Sequence, residues 1–372
     1  MKLSVMQENL ARGLAVVSRA VSTRSTLPVL ANVLLRTEDA GLKLTATNLE
    51  IGITVWVPGK IDVDGSTTVP AKLLSDIVSS LGGSERVELE LQAPDTLLLR
   101  AGRFTAHLRG IDADEFPAIP TAGERPTTRI SQKVLRRALS ETAFAAASDE
   151  ARPILTGVLV HFEGDRVTLA AADNYRIAVK TIPVLDAVED TRLVIPARSL
   201  TELVRILGDT DDPVDVVLAP ARNQVLFHLE GIDLVSRLID GQFPNYQQVL
   251  PESHTTRAVL EREELLKALR PAAFIASNAA NIVKLQIGGN GEAEVTVSAN
   301  AEIGDYEGGV EAALEGDGTT IAFNARYLSD VLQYVDAEQF ALELNGPLSP
   351  GVFKPVGDDQ YVHVVMPVRT TS

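Results

Sequence analysis

A sixteen-residue phrase occurs three times in this chain of 372 residues. The copies are Thr67–Gly82 (TTVPAKLLSDIVSSLG), Leu193–Gly208 (LVIPARSLTELVRILG) and Ile321–Asp336 (IAFNARYLSDVLQYVD). Pro70, Pro196 and Asn324 hold equivalent places, 126 and 128 residues apart. Solenoid repeats recur every ~20–50 residues, so a period this long marks duplicated domains instead. Other segments keep the same beat. Asn48-Leu-Glu-Ile51, Asn174-Tyr-Arg-Ile177 and Asn300-Ala-Glu-Ile303 align, as do Leu10/Leu14, Leu135/Leu139 and Leu265/Leu269. Phe116-Pro117 and Phe243-Pro244 close the first two copies. The expected domains are 1–122, 123–252 and 253–372, each long enough for its own core.

Each copy reads as two helices among many strands. In the first, Leu10, Leu14, Val17 and Val21 follow helical spacing and make one apolar stripe. Strand-like runs follow at Val29–Leu35, Leu42–Thr47 and Ile51–Val57, separated by turn residues. The repeated phrase is the second helix: Pro70 or Pro196 suits its start, Leu74, Ile77, Val78 and Leu81 form its apolar face, and Gly82 or Gly208 follows its end. More strands come next, at Val87–Leu91 and Thr96–Arg100. The fold class is therefore α+β, three tandem copies with two helices packed on antiparallel sheet.

Forty-five per cent of residues are hydrophobic and there is no Cys, which excludes a disulfide framework and a thiolate metal site. No apolar run approaches the ~20 residues that span a bilayer, and the N-terminus lacks a signal-peptide pattern, so a soluble, cytoplasmic protein without membrane contact is expected. The net charge of −16 argues against an ordinary nucleic-acid binder. Yet basic residues recur on the helices, with Lys72, Arg198 and Arg326 at matching positions, while acidic residues fall mostly in turns and strand-rich stretches. That asymmetry predicts a basic face on an acidic body. Catalytic signatures are missing. His107, His161, His228, His254 and His363 lie far apart and match no HExxH or triad pattern. Gly288-Gly-Asn-Gly291 reads as a hairpin turn, and Asp209-Thr-Asp-Asp212 as a turn lacking the Gly and Glu of a calcium loop. No cofactor and no metal are expected.

With these features the chain resembles the bacterial DNA polymerase III beta subunits, the sliding clamps, over its whole length. The resemblance rests on Thr26-Leu-Pro-Val-Leu30, Asp173-Asn-Tyr-Arg-Ile177, Asp240-Gly-Gln-Phe-Pro-Asn-Tyr246, Phe323-Asn324 and Val365-Met-Pro-Val-Arg369. It implies a non-catalytic processivity factor, a homodimer joined head to tail into a ring of six domains around double-stranded DNA. Twelve helices about 10 Å apart make a circle roughly 38 Å across at their axes. Removing one helix radius at each side leaves an opening on the order of 28 Å, wider than a duplex of roughly 20 Å. Retention would be topological, with a weakly basic lining. The helices offer Arg12, Arg19, Lys72, Lys133, Arg137, Arg198, Arg205, Lys267 and Arg326 for that lining, and the resemblance adds Arg24 and Arg152.

The resemblance also implies a pocket for short linear peptides, often with a Gln and apolar Leu or Phe. These come from the replicative DNA polymerase alpha subunit, the clamp loader, and other polymerases and repair proteins. Carried over, its wall is Leu155, Asn174, Tyr175, Arg176, Ile177, Pro244, Gln248, Val249, Asn324, Tyr327, Leu348, Pro350, Val364, Met366, Pro367, Val368 and Arg369. The implied dimer contact joins Arg103, Thr105 and Ala106 of one chain to Phe274, Ile275, Glu302 and Asp305 of the other. Two rival readings stay open on sequence alone: a clamp paralogue with a specialised repair or inhibitor-resistance role, and an enzyme with a scattered site on duplicated domains.

Overall fold

The computed structural model describes residues 1–22, 25–38, 41–83, 86–92, 95–120, 125–219, 223–288 and 293–369. The first repeat contains β1 (Lys2–Met6), α1 (Gln7–Val17), β2 (Asn32–Glu38), β3 (Gly41–Thr47), β4 (Ile51–Val63), β5 (Ser66–Pro70), α2 (Ala71–Ser80), β6 (Arg86–Gln92), β7 (Thr96–Ala101) and β8 (Phe104–Arg109). The second contains β9 (Thr128–Ser131), α3 (Gln132–Ala143), β10 (Gly157–Ala172), β11 (Arg176–Pro196), α4 (Ala197–Ile206), β12 (Pro213–Ala219), β13 (Gln224–Leu229) and β14 (Ile232–Arg237). The third contains β15 (Thr256–Glu261), α5 (Arg262–Ala276), β16 (Ile282–Ile287), β17 (Glu294–Ala301), β18 (Gly304–Gly316), β19 (Thr319–Asn324), α6 (Ala325–Tyr334), β20 (Gln339–Leu344), β21 (Gly351–Pro355) and β22 (Tyr361–Val365). Each repeat carries its two α-helices, as the sequence pattern predicts.

By contacts the chain divides into two compact units, Met1–Gln132 with Arg205–Leu238, and Lys133–Val204 with the residues from Ile239 on. Three repeats make two units because the middle repeat lends strands to both neighbours. In the first unit β14 pairs antiparallel with β4, Leu234 opposite Ile53. In the second, β11 pairs antiparallel with β22, Ile177 opposite Val364. The first sheet runs β8-β7-β6-β1-β4-β14-β13-β12-β9, with β2, β3 and β5 branching from it. The second runs β10-β11-β22-β21-β20-β15-β18-β17-β16-β19.

In the first unit the α1 stripe of Leu10, Leu14 and Val17 is wholly buried. Each such side chain contributes about 1.5–3 kcal/mol relative to exposure. Gly13 lies on the same face; a Cβ there would sit 2.8 Å from Val57 Cγ2 and 3.0 Å from Leu44 Cδ1, so glycine lets the helix lie close on β3 and β4. The helix ends sooner than expected. Ser18–Ala20 tighten into a 3₁₀ turn and Val21 is extended, outside the stripe. Val29 and Leu30 belong to a 3₁₀ turn, Pro28–Ala31, that starts on the φ-restricted proline, and the strand begins at Asn32.

The repeated phrase is a strand end followed by a helix. Pro70 closes β5 and stands in the cap position, with α2 beginning at Ala71. Ala71, Leu74 and Val78 are its buried face; Ile77 and Leu81 are half-buried. Gly82 and Gly208 follow their helices as expected, and neither is among the residues of positive φ. Leu81 leaves α2 in extended conformation. The expected hairpin at Gly288–Gly291 falls largely outside the described residues.

One alignment from the sequence is off by a residue. In the first unit the Asn48 side chain accepts from the N–H groups of Glu50 and Ile51 at 3.0 and 2.9 Å. In the second unit Asp173, not Asn174, plays this part, accepting from Tyr175 and Arg176 at 2.7 and 3.0 Å. The registers Thr47↔Gly52 and Ala172↔Ile177 agree. In the third repeat Asn300↔Asp305 places Ala301 there. The shared Asn drew the match, but a one-residue slip in a strand reverses every side chain.

Candidate functional site

The second unit holds an apolar groove of about 350 Å³. Its floor is Leu155, Ile177, Phe243 and Val364, all buried and packed in one cluster with Leu159, Val179 and Val194. Its rim is exposed: Tyr175, Val249 and Met366 are 57%, 44% and 39% accessible. The strand β11 supplies one wall because the Asp173 carboxylate folds the preceding turn. The chain leaving β22 supplies another, and the Met366 N–H donates to the Tyr175 carbonyl at 2.7 Å. Burial pushes the phenol of Tyr246, also on the wall, above its ordinary range. An apolar floor with few polar groups suits a short apolar segment held in one register.

Nine of the expected wall residues line this groove: Leu155, Asn174, Tyr175, Arg176, Ile177, Pro244, Val249, Val364 and Met366. Gln248, Asn324, Tyr327, Leu348, Pro350, Pro367, Val368 and Arg369 do not. Tyr327 stands behind the rim and stacks on Tyr175 at 6.2 Å between ring centroids. Asn324 caps α6, its side chain accepting from the Arg326 N–H at 2.9 Å. The Val368 N–H donates to the Ala322 carbonyl at 2.8 Å. Arg152, expected on nucleic acid, is also among the residues that line the groove, together with Ala172, Asp173, Phe243, Asn245 and Tyr246. Asp173 and the Phe243–Tyr246 run belong to segments that carry the family resemblance; their place on the wall carries no sequence signal of its own.

Arg176 reaches the groove with its charge already engaged. It donates to Asp173 Oδ2 at 3.1 Å, Asp330 Oδ2 at 2.5 Å and the Phe144 carbonyl at 2.9 Å. The ring centroids of Tyr327 and Phe144 lie 4.7 and 5.4 Å from it. Nearby, Lys180 is buried between Glu141 at 3.2 Å and Asp358 at 2.5 Å. Burial works to raise the Asp358 carboxyl, but the hydrogen bonds from Lys180 and the Gln360 N–H outweigh it and hold the group below its usual range.

His363, on β22, is fully buried against the Phe144 ring at 5.5 Å, and neither ring nitrogen has a hydrogen-bond partner. Burial first, then the Arg176 charge, lowers its pKa to about 3. A histidine that charges more readily unfolded than folded supports the fold fully above about pH 6.5. That support is lost as pH falls from there toward 3. Stability should therefore drop by up to ~1.4 kcal/mol per pH unit below about 6.5 from this residue. In urea melts between pH 7 and 4.5, His363→Phe should show a shallower decline than the parent; equal slopes would remove His363 as the cause.

The expected cations that the structure describes occupy helix surfaces, except Arg152, which lies just before the 3₁₀ turn Pro153–Thr156. Lys72, Arg198 and Arg326 are each the second residue of their helix, α2, α4 and α6, and each is exposed. Arg12, Arg19, Lys133, Arg152, Arg205 and Lys267 are exposed as well. Lys267 is tied to Glu264 at 2.7 Å, and Arg137 to Glu141 at 2.7 Å, which with other nearby charges raises the Arg137 pKa. Arg24 lies outside the described residues. Among the described residues no group of three or more His, Asp or Glu is placed to hold a metal ion. Among the described residues no helix is long and apolar enough to cross a membrane.

Each unit also presents an open strand edge. In the first, β8 ends the sheet; Arg103 and Thr105 are exposed, Ala106 is half-buried, and Phe104 between them is 61% accessible. In the second, Gly304–Glu311 of β18 pair with β17 alone, while β15 takes Ala312–Gly316. Glu302 and Asp305 are exposed there and Ile275 is half-buried. Phe274 and Ile303 are 76% and 67% accessible. Phe104 and Ile303 were not expected from sequence, though each sits beside an expected residue.

Models of the DNA polymerase III beta subunit match in three parts: the N-terminal domain at residues 1–120, the central domain at 129–245 and the C-terminal domain at 247–369. The beta sliding clamp of Staphylococcus aureus is 30% identical over 362 residues, covering 95% of each chain. The DNA polymerase sliding clamp from Bacillus subtilis superposes with a TM-score of 0.94 at 30% identity, covering 100% of this chain and 99% of that one. The DNA polymerase III subunit beta from Pseudomonas aeruginosa gives 0.91 at 30% identity, covering 99% and 100%.

Proposed function

The chain belongs to the bacterial DNA polymerase III beta subunit family, and from that membership we propose that it is a DNA sliding clamp, a non-catalytic processivity factor working in the cytoplasm. Two copies join head to tail and encircle duplex DNA. The clamp domains are 1–122, 123–252 and 253–372, a division that the three family matches support. The observation that carries the reading is the placement of Lys72, Arg198 and Arg326: three exposed cations on the same turn of three repeated helices, in a chain of net charge −16. Cations repeated at one helix position suit a lining, and the net acidic charge disfavours the duplex elsewhere.

The open edges supply the joint. The unpaired backbone of β8 and of Gly304–Glu311 is the kind of edge that proteins cover or pair. Phe104 of one chain, with Arg103, Thr105 and Ala106, meets Phe274, Ile275, Glu302, Ile303 and Asp305 of the next. The apolar groove receives short linear segments of the replicative polymerase, the clamp loader and other polymerases and repair proteins, with Leu155, Ile177, Val249 and Met366 as its main contacts. Mass tests the ring. Light scattering at micromolar concentration should give twice the chain mass of 39.9 kDa; a stable monomer or trimer would contradict it.

A further inference from the structure

The Asp173–Tyr175 turn forms one rim of the groove, and part of what holds it stands outside the groove. Two side chains of α6 reach it. Tyr327 stacks on Tyr175 at 6.2 Å. One turn further along the helix, Asp330 accepts a hydrogen bond from Arg176 Nη1 at 2.5 Å. The same guanidinium bonds Asp173 Oδ2, so one cation ties the turn's own carboxylate to the helix. Side chains of Arg176, Asp173 and Asp330 are 8%, 15% and 20% exposed, so these charge-assisted bonds are poorly screened. Tyr175 itself, 57% exposed, has little packing of its own to set its position.

We propose that Asp330 is a positioning residue for peptide binding: through Arg176 its carboxylate holds the Asp173–Tyr175 rim in the conformation that an incoming apolar segment meets. This rests on reading the groove as a peptide site. Without Asp330, Arg176 keeps Asp173 and the Phe144 carbonyl, so the fold survives. The rim must then be ordered on binding, and that ordering is drawn from the binding energy.

The test uses the full-length dimer and a fluorescein-labelled Gln-Leu-x-Leu-Phe peptide, followed by anisotropy and stopped-flow dissociation. Asp330→Ala should bind about tenfold more weakly, chiefly through faster dissociation, with an unfolding midpoint close to that of the parent. On an Arg176→Ala background the same change should add nothing, since Asp330 acts through that guanidinium. If Asp330→Ala folds poorly, Asp330→Asn keeps size and one acceptor and should give a smaller loss of the same kind. Parent-like affinity in these variants, while Val249→Glu abolishes binding, would overturn the proposal and leave the groove standing; so would full additivity with Arg176→Ala. Parent-like binding by Val249→Glu would overturn the groove reading and this proposal with it.

Discussion

Val249→Glu is expected to weaken binding of a Gln-Leu-x-Leu-Phe peptide by roughly 100-fold or more, about 2.7 kcal/mol, while leaving the fold intact. Val249 is 44% accessible, so in the free protein a carboxylate there stays in water. In the complex it would be pressed among Leu155, Pro244 and the peptide's own apolar side chains, and of the two arginines on the groove wall Arg152 is exposed, so that solvent screens its charge. Arg176 does not serve, because Asp173, Asp330 and the Phe144 carbonyl already occupy it. Val249→Met keeps the surface apolar and pliable and should change affinity less than threefold or so. Fluorescence anisotropy with a thermal melt alongside separates the cases. Parent-like affinity for the Glu variant would place the peptide elsewhere on the molecule.

The parts of this molecule that were legible in sequence are those written by local rules. The second helix of each repeat shows its buried face at helical spacing, and the cations Lys72, Arg198 and Arg326 stand out by recurrence. Their exposure follows from the same pattern, since Leu74 and Val78 take the inner face of α2. Pro70 marks the expected helix start, standing in the cap position of α2, and also closes β5. Where local chemistry was ambiguous, the pattern misled. Asn48 and Asp173 make the same turn with different side chains, so matching Asn to Asn shifted the register by one.

The groove was legible only in part, for a different reason. Its floor residues reveal themselves as apolar positions in strands, but what holds its rim comes from far along the chain. Arg176 meets Phe144 and Asp330, which are 32 and 154 residues away. No spacing rule links such residues; the pairing of β11 with β22 and the packing of α6 bring them together. The buried Lys180–Glu141–Asp358 cluster is equally invisible, because each member reads as an ordinary surface charge until the fold closes over it.

On the proposed reading this protein stays on DNA by enclosing it rather than by gripping it, and the net charge of −16 is consistent with that. A surface binder that neutralises several phosphates loses affinity steeply with salt, whatever the topology of the DNA. A closed ring has no such route off a circle and slides freely off an end. The most direct measurement loads the protein onto a nicked circular plasmid with a clamp loader, isolates the complex in moderate salt, and then cuts the circle once. Retention on the circle and loss within minutes of linearisation is the expected result. Equal retention on circle and line, or equal loss from both, would contradict enclosure.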